Sequence, residues 1–203
     1  MFDVLIIGGG AAGMSCALII GSALEKPFAK ERKAGIIMHQ KASHLQNALF
    51  NNVLGLQAGT LGQDILKSGA EQLTTLYPKL TQINNEKVIE IKHTSPFTVV
   101  TNKAVYTTKS LVIATGYSKP FTLKGLDKYL IPHQMAKPEK NRVQLKNKLH
   151  LVSPNIYVAG SLAGWRSQFA IACGSGAQVA TDILTLWNNG EHIKIHDKKS
   201  VSS

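Results

Sequence analysis

Six residues near the N-terminus, Gly8-Gly9-Gly10-Ala11-Ala12-Gly13, restrict the fold more than any other stretch of the chain. They fit G-x-G-x-x-G and lie between two apolar runs of different character. Phe2 to Ile7 is short, continuous and rich in β-branched residues, as suits a strand buried on both faces of a parallel sheet. Ala11 to about Leu24 is small and apolar throughout, as suits a tightly packed helix. A strand–turn–helix context gives the glycine pattern its meaning. Gly8 permits the tight turn, Gly10 lets the backbone approach a pyrophosphate, and Gly13 lets helix and strand pack closely, while the helix N-terminus offers free N–H groups to phosphate. A plain β-to-α connection is the alternative reading of the same glycines.

Downstream, Glu25 to Lys33 carries a dense run of charges and reads as a solvated loop before a second apolar strand, Gly35 to Met38. Residues 39–59 lack periodicity and read as an irregular loop. Thr60 with Gln63 has the form of a capping box opening a helix to about Tyr77, ended by Pro78. Leu80 to Ile83, Val88 to Lys92, Phe97 to Thr101 and Ala104 to Thr107 predict a small antiparallel meander. Leu111 to Ala114 is again a buried type of strand, ending in Thr115-Gly116. Residues 117–150 are lysine-rich and predict a long surface connection; Ile156 to Ala159 is one more strand, and Gln168 to about Trp187 a last helix. The order predicts an α/β, Rossmann-like fold over residues 1–187, a parallel sheet with helices on one side and the meander on the other, followed by a polar tail at 188–203.

Hydrophobic residues make up 44% of the 203 and charged residues 17%, enough for a packed core and too apolar for a disordered chain. Asp3 stands where a signal peptide needs basic residues, and no run of apolar residues reaches bilayer length, which predicts no membrane segment. Cys16 and Cys173 form no disulfide framework and, like the scattered histidines, show no metal spacing, so no metal is expected and a reducing, cytoplasmic compartment is. The formal charge is +11, yet the lysines are not interleaved with aromatic residues and no nucleic-acid motif occurs. They read as a solvated basic surface or as a rim that steers an anionic nucleotide or an acidic partner.

Three separated stretches together resemble the flavin-binding half of thioredoxin reductase-like pyridine nucleotide-disulfide oxidoreductases. These are the glycine loop, Ala114-Thr115-Gly116 after a strand, and Asn155 to Gly160 leading into a helix with Gly174-x-Gly176-Ala177. The resemblance implies FAD, with Gly8, Gly10, Ala11, Ala12, Gly13, Val88, Ala114, Thr115, Gly116, Gly160 and Gln168 with Phe169 around it. Asn52, in Asn52-x-x-Gly55, falls where the family sets an Asn beside the flavin. Three departures matter. Ser161 replaces the Asp that holds a ribityl hydroxyl, and the family's Arg-Gln pair before the last helix falls on Ser167 and Gln168, with Arg166 one residue away. Apart from the resemblance, His39 and Gln40, followed by Lys41, stand where the second strand of a dinucleotide fold usually ends in the acidic residue that binds the adenosine ribose. The inserted nicotinamide domain and its CxxC pair are missing between Gly116 and Ile156.

On this resemblance the chain is an FAD-dependent oxidoreductase without its own NADPH domain, fed by free NAD(P)H or by a redox partner protein. A homodimer would cover the flavin edge that so small a fold leaves open. Trp165 and Arg166 either border the substrate side of the ring as catalytic candidates or merely cover core and cap surface charge. Two other readings stay open: an enzyme with NADP on the glycine loop, its 2′-phosphate on His39 and Lys41, and a non-catalytic dinucleotide-binding redox sensor or subunit.

Overall fold

A computed structural model describes residues 1–117 and 120–196, so Lys119 and the end of the tail lie outside the described residues. In chain order the elements are β1 (Phe2–Ile7), α1 (Ala11–Ala23), β2 (Ala34–Met38), β3 (Leu49–Phe50), β4 (Thr60–Leu61), α2 (Gly62–Leu76) and β5 (Thr81–Asn84). Then come β6 (Val88–Lys92), β7 (Phe97–Thr101), β8 (Val105–Ile113), β9 (Leu130–Pro132), β10 (Val143–Leu145), β11 (Leu151–Ser153), β12 (Ile156–Val158) and α3 (Phe169–Trp187). The main sheet runs β11-β12-β8-β1-β2-β5, with all pairs parallel except β11 with β12.

Strand periodicity divides the core into two layers. Val4, Ile6, Ile36 and Val112 face one side, where they meet Ala17 and Ile20 of α1, Leu73 of α2 and Val179 and Ile183 of α3. Leu5, Ile7, Ile37, Leu111 and Ile113 face the other, where they meet Ile91 and Val99 of the meander and Leu123, Leu126 and Leu145 of the long connection. Each such fully buried Leu, Ile or Val contributes about 1.5–3 kcal/mol by leaving water, so covering both faces is what demands unbroken apolar strands. The helices differ for the same reason. α1 is buried nearly all round, wedged between sheet and α3, and so has no polar face, whereas α2 buries only Gly62 at its start and the stripe Leu66, Gly69, Leu73. By length and composition α3 could cross a bilayer, but Val179, Ala180, Ile183 and Leu184 are buried in the helical layer.

The expected α/β architecture, with helices on one side and meander on the other, is present. Four local expectations are corrected. Leu80 to Ile83 does not open the meander: Thr81–Asn84 is the edge strand of the main sheet, parallel to β2, and burying only Ile83 gives it the alternation of a half-exposed strand. Ala104 to Thr107 and Leu111 to Ala114 are not two strands, because β8 is continuous, its first half paired with β7 and its second half inserted between β1 and β12. The capping box does not form: Thr60 is held in the β3–β4 bridge and its hydroxyl donates to the Gln57 carbonyl at 2.6 Å, so α2 starts at Gly62 without a side-chain cap. The 117–150 connection is more than a surface excursion, since its β9–β10 hairpin and its buried Leu123, Leu126 and Leu145 complete the second core layer.

Candidate functional site

Loops leaving the C-terminal ends of β1, β2, β8 and β12 converge on one cleft of about 580 Å³, the place where open α/β sheets bind their ligands. The glycine loop forms its floor. Gly8 has φ +115°, and a Cβ there would strike the Ala114 carbonyl, so the turn and the close approach of β1 to the end of β8 both require glycine. Gly13 lies behind the floor, packed on the Gly8 carbonyl with no room for a Cβ.

The cleft gathers most of the residues singled out from the sequence. Gly8, Gly10, Ala11 and Ala12 line it from the first loop, His39 and Gln40 from the end of β2, and Val88 from the start of β6. Ala114, Thr115 and Gly116 line it from the end of β8, Gly160 and Ser161 from the end of β12, and Gln168 and Phe169 from the start of α3. Gln40 is fixed there by donating to the Gly9 carbonyl at 3.0 Å, and the Gly160 N–H donates to Ser175 Oγ at 2.7 Å. Asn52 is exposed on the β3–β4 loop and does not line the cleft. Nor do Trp165, 45% exposed with its ring 6.0 Å from that of His150, and Arg166, one residue before the lining residue Ser167.

Two helices start at this cleft, and both start bare. Neither α1, entered at Gly10, nor α3, entered at Gln168, has a side-chain cap or an acidic residue in its first turn, whereas α2 carries Asp64 there. Unpaired N–H donors and the positive end of each helix dipole therefore face the cavity, a setting for anionic groups.

Several lining residues escaped sequence reasoning. Ser43, His44, Leu45 and Phe50 come from the irregular 39–59 loop, which no period could place; the Phe50 ring packs on Phe169 at 5.0 Å. Glu86 brings a carboxylate into the cleft that the end of β2 does not supply. It accepts from the Thr101 hydroxyl at 2.6 Å and from the Tyr106 hydroxyl at 3.0 Å. Burial first, then this carboxylate, raises the Tyr106 pKa, so the phenol keeps its proton for Glu86. Its only signal in the sequence was position, in the turn before the expected strand at Val88.

Tyr117, directly after Gly116, forms the opposite wall. The Arg142 guanidinium lies 4.0 Å over its ring, and the rings of His44 and His133 stand 5.4 and 5.7 Å away. The connection also braces the site from behind. His133 accepts the Met135 N–H on Nδ1 at 3.1 Å, which leaves the proton on Nε2 to donate to the Ser161 carbonyl at 2.9 Å. Gln134 and Asn147 donate to the carbonyls of Gly164 and Ala163, both at 3.1 Å.

Neither thiol lines the cleft. Burial pushes the Cys16 pKa far up, and it raises that of Cys173 as well, there partly offset by a hydrogen bond with Ser15. Both are protonated and poor nucleophiles at neutral pH.

Comparison with known proteins gives a consistent picture. The sequence profile of the pyridine nucleotide-disulphide oxidoreductase family matches residues 2–152. No curated protein matches the chain. Among solved structures, a thioredoxin reductase from Gloeobacter violaceus superposes with a TM-score of 0.71 at 16% identity, covering 97% of either chain. An oxidoreductase from Agrobacterium tumefaciens gives 0.70 at 14% identity, covering 94% of this chain and 99% of that one. An atypical thioredoxin reductase from Desulfovibrio vulgaris Hildenborough gives 0.69 at 12%, covering 93% and 99%. At such identities the likeness is one of fold.

Proposed function

The chain belongs to the pyridine nucleotide-disulphide oxidoreductase family, and from that premise we propose that it is an FAD-dependent oxidoreductase whose electrons come from outside its own fold. The observation that carries the reading is the convergence of three separated backbone stretches and two uncapped helix N-termini on one cleft. The residues present fit the cofactor. A Cβ on Gly10 would meet only Ser43 Oγ, at 3.7 Å, so the backbone leaves open the space that a pyrophosphate needs. Gly8 to Ala12 would hold the diphosphate, Glu86 and Val88 the adenosine end, and Ser161 the ribityl chain through a shorter and neutral contact. Gln168 and Phe169 would stand by the ring.

Bound FAD supplies hydride and electron chemistry, and the chain's own residues bind, orient and shield it. The bare N-terminus of α3 would favour negative charge on the ring by about 0.3–1 kcal/mol. The Phe50–Phe169 pair and Tyr117, which all line the cleft, would shield it from water. With Cys16 and Cys173 far apart in sequence and outside the cleft, the chain offers no CxxC dithiol to relay electrons to a disulfide substrate. The stretch between Gly116 and Ile156 is too short for an inserted nicotinamide domain, so free NAD(P)H or a partner protein would supply the electrons. Stopped-flow mixing of the flavin-loaded protein with NADH and with NADPH tests the source: bleaching of the flavin band by one of them identifies a nicotinamide donor, and no bleaching by either leaves the partner protein.

A further inference from the structure

The charge of +11 is not spread over the molecule. Residues 87–148 hold twelve of the 23 Lys and Arg but three of the 12 Asp and Glu, namely Glu90, Asp127 and Glu139, so this segment carries +9 and the rest of the chain +2. The same segment builds one layer of the fold, because β6, β7, β8 and the connection bury Ile91, Val99, Leu123, Leu126 and Leu145 on the sheet face opposite the helices. Its outer side is thus a cationic face, on which Lys92, Lys103, Lys124, Lys128, Lys140 and Lys146 are exposed. Among the described residues none of these six is in a salt bridge; of the layer's lysines Lys109 alone pairs, with Asp3. Unpaired like charges repel one another and add nothing to folding. The rest of the chain, at +2, is nearly neutral by comparison.

We propose that this face docks an acidic electron-carrier protein beside the cleft, in a short-lived complex. The proposal rests on the oxidoreductase reading and names the partner of that site. The face reaches the cleft's rim, since Lys87 lines the cleft and so does the segment from Phe121 to Leu123 that leads into Lys124. Complementary charge of this kind speeds encounter and fixes orientation more than it adds affinity. Ile89, Val105 and Met135 are exposed in the same layer and give a carrier apolar contacts. A nucleic acid fits less well. The layer's Arg142 is already stacked on Tyr117, and its exposed large apolar residues include no Phe, Tyr or Trp on which bases could stack.

Two charge-reversal variants of the full chain with equal net charge test this. Lys92→Glu/Lys124→Glu/Lys146→Glu alters the proposed face, and Lys26→Glu/Lys30→Glu/Lys33→Glu alters the turn between α1 and β2. Binding of an acidic [2Fe–2S] carrier protein and of a short DNA duplex is measured at low and physiological salt, and thermal melts confirm that both variants fold. The parent binds the carrier with an affinity that falls as salt rises; the first variant loses about tenfold or more, the second about twofold or less. Absence of carrier binding, equal losses in the two variants, or DNA bound more tightly than the carrier would each overturn the proposal. The assay needs no flavin. A folded protein that binds the carrier but takes up no FAD on reconstitution keeps the partner and removes the cofactor reading, whereas an FAD-loaded protein that ignores the carrier does the reverse.

Discussion

Gly10 is the residue at which folding and binding come apart. Its backbone, φ −83° and ψ −170°, is extended and open to any L-residue, and its missing Cβ leaves empty space facing the cleft. A Gly10→Val protein should keep its melting temperature, with stability changed by less than about 1 kcal/mol, yet bind FAD at least about tenfold more weakly in a fluorescence titration. Equal loss of stability would make Gly10 a folding residue instead. Positions of this kind are legible in a sequence because a turn or a close approach admits few residue types. Asn52 is suggested by a short family-like spacing and Trp165 and Arg166 by what their side chains can do; neither signal says where a loop points a side chain, and all three stand outside the cleft. Glu86 escaped for the converse reason: a turn carboxylate shows its role only beside the hydroxyls of Thr101 and Tyr106, which the chain supplies 15 and 20 residues later.

Elements are positioned by two polar clusters that hydrophobic patterning does not reveal. At the N-terminal edge of the sheet, Asp3 accepts the Lys33 backbone N–H at 2.9 Å, Lys109 Nζ at 2.9 Å and Arg32 at 3.4 Å, tying β1 to the chain entering β2 and to β8. Burial raises the Asp3 pKa, but the Lys33 N–H, Lys109 and Arg32 together outweigh it and hold the carboxyl below its ordinary value. A carboxylate lowered in the native state stabilises fully above its unfolded pKa, and that contribution disappears as pH falls through the native value. Asp3→Asn should therefore cost about 1 kcal/mol at neutral pH, a value discounted for partial exposure, and the gap to the parent should close below about pH 4. A gap that persists in acid would show that charge is not what Asp3 contributes. At the other end, His133→Phe keeps a ring against Tyr117 but removes the donor to Ser161 and the acceptor for Met135. A loss of about 1–3 kcal/mol is expected, with faster amide exchange over residues 160–164 and unchanged exchange in β1. Uniform exchange would mean that the connection does not brace the loop. Parallel strands and packed helices are legible as continuous apolar runs of different length and residue type. The continuity of β8 is not, because a strand that serves the meander with one half and the core with the other changes pattern midway.

The whole molecule is a sheet with two unlike coats. One is apolar and helical, supplying two helix N-termini to the cleft; the other is thin and cationic, supplying Glu86, the Tyr117 wall and the brace behind Ser161. Fold class followed from the order of elements, but the second coat's contribution did not, since residues 117–150 read as a connection until their leucines were seen to be buried. A ligand gripped by both coats should stabilise the protein as a unit, by about 2.7 kcal/mol at a hundredfold excess over its Kd. All of this supposes a cleft built for FAD. The most direct test is to denature the purified protein, identify the released small molecule by mass spectrometry, and count it against chain concentration. FAD at close to one per chain is expected, present as purified or after reconstitution; release of NADP, or no uptake of FAD by folded protein, would rule the flavin site out.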